Sequence, residues 1–207
     1  MEKDKTKTNK TTSEVESRTR PASNGMKVKT TQEKISGAFI HMKGKFHYKN
    51  TMQAPKLSKV IVSVGTGSQI KKEKKRNDFI MERLSKITGQ KASPRPAKKA
   101  VATFKTRLGD ILGAMVTLRG TRMNLFLDKF LNVALPRTKD FKGVARTTVD
   151  EMGNVTIGIK EHSIFPETAD EDLKDVFGLA ITIVTTAKNK EEATAFLEYL
   201  GVPFKKA

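Results

Sequence analysis

The sequence predicts an α+β fold, with helices packed on one face of a mostly antiparallel sheet and the other face free. Three observations carry that expectation. Segments with apolar residues at helical spacing are interleaved with segments whose apolar residues alternate, in the order β-α-(β)-β-α-β-β-α after a leading helix. The strand segments are short. Several are joined by hairpin-like loops, and such loops suit antiparallel neighbours.

Residues 1–34 contain no Leu, Ile, Phe, Tyr or Trp. They cannot bury enough apolar surface to offset the entropy of ordering them. A disordered basic extension over 1–34 is expected, followed by one α+β domain over 35–207. The extension is either solvated or an arm that orders on nucleic acid. From Ile35 the pattern changes. Ile35, Phe39, Met42 and Phe46 fall at helical spacing and predict a short amphipathic helix near 32–46. LSKVIVSV (57–64) alternates, putting Ser58, Val60, Val62 and Val64 on one side and Leu57, Lys59, Ile61 and Ser63 on the other. Gly65-Thr66-Gly67-Ser68 ends that strand.

KKEKKRNDFIMERLSKITG predicts a helix with the core stripe Phe79, Ile80, Leu84 and Ile87, ended by Gly89. Its first turns carry Lys71, Lys72, Lys74, Lys75 and Arg76. Cations at a helix N-terminus oppose the macrodipole at a cost of about 0.3–1 kcal/mol each, so the cluster suggests an external anion. Residues 91–110 are basic, hold Pro94 and Pro96 and show little periodicity, which suggests a loop or an extended hairpin arm. AMVTLR (114–119) alternates, with Ala114, Val116 and Leu118 inward and Met115, Thr117 and Arg119 outward. Thr121 then caps a helix with the stripe Met123, Phe126, Leu127, Phe130, Leu131 and Ala134, stopped by Pro136. Val155, Ile157 and Ile159 mark a strand, and GLAITIVTTA (178–187) another rich in β-branched residues. The last helix has Asn189 at its cap, Glu191 and Glu192 in its first turn, a core face of Ala193, Phe196, Leu197 and Leu200, and Gly201 and Pro203 beyond its end.

Charge is distributed unevenly. Residues 111–207 carry 13 basic and 13 acidic side chains, whereas residues 56–110 carry 15 basic and 4 acidic. A chain of net charge +18 with this asymmetry has a basic face, and such a face suits a polyanion. No aliphatic run approaches a membrane span, so nucleic acid is expected ahead of a membrane. The absence of Cys removes disulfides, thiol catalysis and thiolate metal sites. His41, His47 and His162 form no metal pair at helical spacing, and no cofactor or metal is expected. With no Trp and two Tyr, a base-stacking surface built on aromatics is not expected. Contacts should run through phosphate, sugar and shape. Gly65-Thr66-Gly67 lacks the third glycine of a dinucleotide fingerprint, since Ile70 stands there. Glu161, His162 and Glu167 lack a nucleophile or oxyanion site beside them, so loop capping is the better account.

Longer strings bear on identity: NTMQAPKLSKVIVSVGTG (50–67), ITGQKASPRPAKKAVATFKTRLGDILGAMVTLRGTRM (87–123), ALPRTKDFKGV (134–144), IFPE (164–167), GLAITIVTTA and GVPFKK (201–206). From about Ile35 to the C-terminus they resemble, in order, the bacterial-type large-subunit ribosomal protein five family, the 5S rRNA-binding proteins of the central protuberance. The resemblance implies a non-enzymatic structural protein of the cytoplasmic ribosome, with no small-molecule substrate and with a sheet face on 5S rRNA. It implies 5S contacts at Ser63, Gln90, Thr117 and Arg119, Ser63 standing where the family usually has Asn. The pleat had already placed Ser63, Thr117 and Arg119 on one side. The basic RNA face would include Lys59, Lys71, Lys72, Lys74, Lys75, Arg76, Lys91 and Arg95, with 23S rRNA as a second RNA partner. The family's loop toward the peptidyl-site tRNA matches Lys99 to Gly113, with Lys99, Lys105 and Arg107 as its phosphate-binding candidates. A contact to a protein of the small-subunit head would run through the loop from Arg137 to Asp150. Two rivals stand beside this reading, an enzyme acting on RNA and a free-standing RNA chaperone.

Overall fold

Five strands, β1 (Leu57–Gly65), β2 (Ser93–Pro96), β3 (Ile111–Leu118), β4 (Val155–Ile159) and β5 (Leu179–Thr185), form one sheet in the spatial order β2-β3-β1-β5-β4. Every neighbouring pair is antiparallel. The structure, a computed structural model, describes residues 30–67, 75–139, 141–168 and 176–205. The helices are α1 (Thr31–Phe46), α2 (Lys75–Thr88), α3 (Gly120–Lys129), α4 (Leu135–Arg137) and α5 (Lys190–Leu200). The predicted α+β class and element order hold. Lys71, Lys72, Lys74 and residues 1–29 of the expected extension lie outside the described residues.

Alternation decides which sheet face is covered. Val60, Val62 and Val64 of β1, Ala114, Val116 and Leu118 of β3, Val155, Ile157 and Ile159 of β4, and Leu179, Ile181 and Ile183 of β5 are all buried. They join Met42, Ile80, Leu84, Phe126, Phe130, Phe196 and Leu197 from the helices in one apolar cluster. Removing each of the larger of these side chains from water is worth roughly 1.5–3 kcal/mol, enough to hold the helices on this face. The rings of Phe126, Phe130 and Phe165 stack within it at 6.1–6.4 Å between centroids. The alternate strand residues stay half-buried or exposed.

Four local expectations are corrected. Helix α1 begins before the expected tail ends. Thr30 Oγ1 accepts from Glu33 N (3.3 Å), and Thr30 N donates to Glu33 Oε2 (3.3 Å). Thr31 N and Oγ1 both donate to Asp128 Oδ1, at 2.7 and 2.6 Å, and Lys34 Nζ donates to Leu200 O at 2.7 Å. Caps are built from polar residues, so Thr30 to Lys34 share the tail's composition while belonging to the helix. Thr121 is not the cap of α3. Gly120 takes a left-handed backbone (φ +59), Arg119 is the N-cap, and the helix starts before Thr121.

Pro136 does not stop the chain's helical course. A π-helical stretch, Phe130–Ala134, widens the spiral, and Leu135 N donates five residues back to Phe130 O. That gives the proline ring room before α4 ends at Arg137. The 91–110 segment, read as a loop or an extended hairpin arm, is the arm: it contains strand β2, paired along β3 at the sheet edge. Pro94 and Pro96 are tolerated there because an edge strand need not donate on both sides. Ile111 to Gly113, expected as loop, belong to β3.

Candidate nucleic-acid interface

The side of the sheet turned away from the core carries small and polar residues with Ile61, Met115 and Val184 among them. Opposed residues of antiparallel strands point the same way, so the register defines rows across it. One row runs Ser93, Met115, Ser63, Ala180, Gly158, and the next runs Thr117, Ile61, Thr182, Thr156. Lys59 opposes Val184 one step further. Thr156 Oγ1 and Thr182 Oγ1 hydrogen-bond at 2.9 Å. Ser63 Oγ points at Ala180 O from 3.5 Å.

The residues expected to contact RNA lie along β3 on this face, from Arg119 past its end to Ser63 and Arg95 further back along the strand. Thr117 and Ser63 sit in adjacent rows of β3 and β1. Arg119 keeps an extended backbone (φ −140°, ψ 163°), so it continues the alternation past Leu118 on Thr117's side and is exposed. Gln90, just past the C-terminus of α2, donates from Nε2 to Thr117 O at 3.2 Å. That bond ties the amide to the strand beside Thr117. Arg95 faces the same side from β2, its Nη2 lying 3.5 Å from Met115 Sδ. Lys91 is exposed between Gln90 and β2. A guanidinium with five donors beside hydroxyls, an amide and a lysine suits phosphate oxygens and base edges.

Other expected cations do not gather there. Arg76 is half-buried at the start of α2, with Nη2 directed at Val176 O (3.5 Å). Lys75 opens α2. Lys99, Lys105 and Arg107 lie on the hairpin arm before β3, whereas Arg119 follows it. At ~3.3 Å per residue, the steps from Ile111 to Leu118 separate the two by roughly 23 Å. The arm closes on itself. Val101 and Thr106 exchange both backbone hydrogen bonds at 3.2 Å, and Asp110 Oδ2 accepts from Arg107 N at 2.8 Å. It is therefore a small hairpin rather than a plain loop.

His162 is buried, stacks on Phe177 at 4.1 Å and accepts from Phe177 N at Nδ1 (3.4 Å). Glu167 pairs with Lys129 at 2.6 Å. Both hold loops in place, as expected. Tyr48 donates to the buried Glu192 carboxylate, whose other oxygen accepts from Lys188 N at 2.8 Å. Burial, with Glu192 beside it, pushes the Tyr48 hydroxyl far above the ordinary phenol range.

The sequence reading missed the β5 and β4 part of the open face. Thr182 and Thr156 continue the Thr117–Ile61 row across those strands, but sequence alone does not say which strands are neighbours. The alternating Thr156 and Gly158 in VTIGI were the available signal.

Two family models match the chain: "Ribosomal protein L5" over residues 50–107, and the model of the C-terminus of that same ribosomal family over residues 111–204. The large ribosomal subunit protein uL5 of Ureaplasma urealyticum serovar 10 is 47% identical over 161 residues, 78% of this chain and 87% of the relative. That of Trichlorobacter lovleyi is 48% identical over 164 residues, 79% of this chain and 91% of the relative. That of Anaeromyxobacter sp. strain Fw109-5 is 48% identical over 158 residues, covering 76% and 87%.

Proposed function

Because the chain belongs to the ribosomal protein L5 family, we propose that it binds 5S rRNA through its open sheet face and anchors that RNA in the central protuberance. It is a structural, RNA-binding component of the large ribosomal subunit in the cytoplasm, and not an enzyme. The observation that supports the 5S assignment is the placement of Ser63, Gln90, Thr117 and Arg119 on a sheet face that no helix among the described residues covers. Ser63 reaches less far than an amide, so Gln90 and Arg119 would carry more of the base-edge contact. Lys59, Lys91 and Arg95 would hold phosphates at its margins. The cations around the start of α2 would add backbone contacts, with 23S rRNA as a second partner.

The hairpin at the far end of β3 serves as a separate arm toward the peptidyl-site tRNA, presenting Lys99, Lys105 and Arg107. A third contact, to a protein of the small-subunit head, uses the loop between Arg137 and Asp150. The C-terminal segment braces that loop: Val144 N donates to Pro203 O (2.8 Å) and Lys205 N to Val144 O (2.9 Å). Gly143 there has φ +90, which disfavours any side chain, and a Cβ on it would press on the backbone of Lys205 and Phe204 at 3.0–3.1 Å. Thr30 to the C-terminus would fold as one unit, with residues 1–29 as an extension. A free-standing chaperone would bind many RNAs alike. The sedimentation of this chain in cell lysate separates the readings. Travel with the large subunit and its 5S rRNA is expected, and a chain found only among free RNAs would contradict it.

A further inference from the structure

Phe104 is the exception among the eleven phenylalanines of this chain. The other ten are buried or half-buried, whereas Phe104 is 68% exposed. It sits at the tip of the β2–β3 hairpin. Lys105 N donates to Ala102 O at 2.9 Å, which makes Ala102-Thr103-Phe104-Lys105 a tight turn with Phe104 in its third position. Lys105 takes a left-handed backbone (φ +51), one of two non-glycine residues with positive φ among those described. The paired bonds between Val101 and Thr106 close the turn, and Ala97 N to Asp110 O (2.7 Å) closes the base. The ring is thus held outward on a fixed backbone. Among the described residues no ring stacks on it and no cation lies over it. Val101 and Leu108, 40% and 72% exposed, add apolar surface beside it.

Nothing in the folding of this chain accounts for that presentation. Lys98, Lys99, Lys105 and Arg107 flank the ring with no acidic residue between 98 and 107. A π-face set among cations matches a nucleobase with phosphates on either side, since every base offers a stacking face and its backbone the counter-charge. We infer that Phe104 stacks on an unpaired nucleobase of the RNA that the hairpin meets, so that this arm grips by stacking as well as by charge. This rests on the reading of the hairpin as a tRNA-contacting arm, and it adds one stacking ring to contacts expected to run through phosphate, sugar and shape.

The test uses ribosomes carrying the full chain with Phe104→Leu, Phe104→Trp or the double variant Lys105→Ala/Arg107→Ala. Dissociation of deacylated tRNA from the peptidyl site is measured across a salt series, with 5S content as the assembly control. Loss of one stacked base predicts roughly 5- to 150-fold weaker binding for Phe104→Leu, which keeps apolar bulk and removes the π-face. Its salt dependence should match that of the unaltered chain. Phe104→Trp should bind within about threefold of the unaltered chain, because it keeps a stacking face. The double variant should weaken binding and flatten the salt dependence. Full tRNA binding by Phe104→Leu, with loss in the double variant, would overturn stacking and leave the tRNA arm standing. Unchanged binding in both would overturn the arm and stacking together. Ultraviolet cross-linking of Phe104 to a protein rather than RNA would also overturn the inference.

Discussion

Arg119 is both the outward residue after β3 and the N-cap of α3, and its side chain makes no capping bond. Its guanidinium is available while its backbone is fixed by two elements. Arg119→Ala should therefore leave the fold unchanged and weaken 5S rRNA binding by about 1–3 kcal/mol, the cost of one base-edge contact. Filter binding paired with circular dichroism checks this. Unchanged affinity with an intact spectrum would remove Arg119 from the interface. Ser63 and Thr117 were legible on this face because strand pleat has period two. Gln90 was not, since no periodicity relates a residue after a helix to a strand 27 positions on. Only the family resemblance pointed to it. The Tyr48–Glu192 bond was equally illegible, because its partners are 144 residues apart.

At the scale of elements, the helices and inner strands were readable because apolar periodicity is strong where one face is buried. Some boundaries were not. The helix expected near 32–46 runs Thr31–Phe46, but the end of the tail was set too late because a capping box looks like disordered sequence. This leads to a truncation experiment. Removing residues 1–29 should leave the melting temperature unchanged, since the capping box, the Asp128 contacts and the Lys34–Leu200 bond remain. Removing residues 1–34 deletes all of them, and a lost cap alone costs about 0.5–2 kcal/mol. For a domain of this size, with the contact to the half-buried Asp128 carboxylate also gone, the melting temperature should fall by several degrees, roughly 2–4 °C per kcal/mol. Equal melting of both truncations would show that the N-terminus of α1 contributes nothing to stability. Strand β2 was left open between a loop and an extended hairpin arm for a different reason. Its prolines argue against a strand everywhere except at an edge, and edges are known only from the assembled sheet.

For the whole molecule, the sequence separated a basic half from a neutral half, and among the described residues folding puts cations at both ends of β3. Strand order, which sets how far the open face extends, could not be read, because antiparallel neighbours need not be consecutive in sequence. The concentration of charge predicts that 5S binding is driven largely by counterion release. If about 6–10 phosphates are neutralised, affinity should fall roughly 10³- to 10⁵-fold between about 50 and 200 mM salt. A nearly flat salt titration would mean that the basic residues are only a solvated surface.

The most direct test of the open face as the RNA surface is a map of cross-links between the full chain and 5S rRNA, read peptide by peptide after ultraviolet irradiation. Cross-links are expected in β1 around Lys59 to Ser63, in the segment from Gln90 to Arg95, and at Thr117 to Arg119, with none in α5. Cross-links concentrated on α1 and α5, with the sheet peptides unmodified, would place the RNA on the opposite side of the molecule and contradict the assignment.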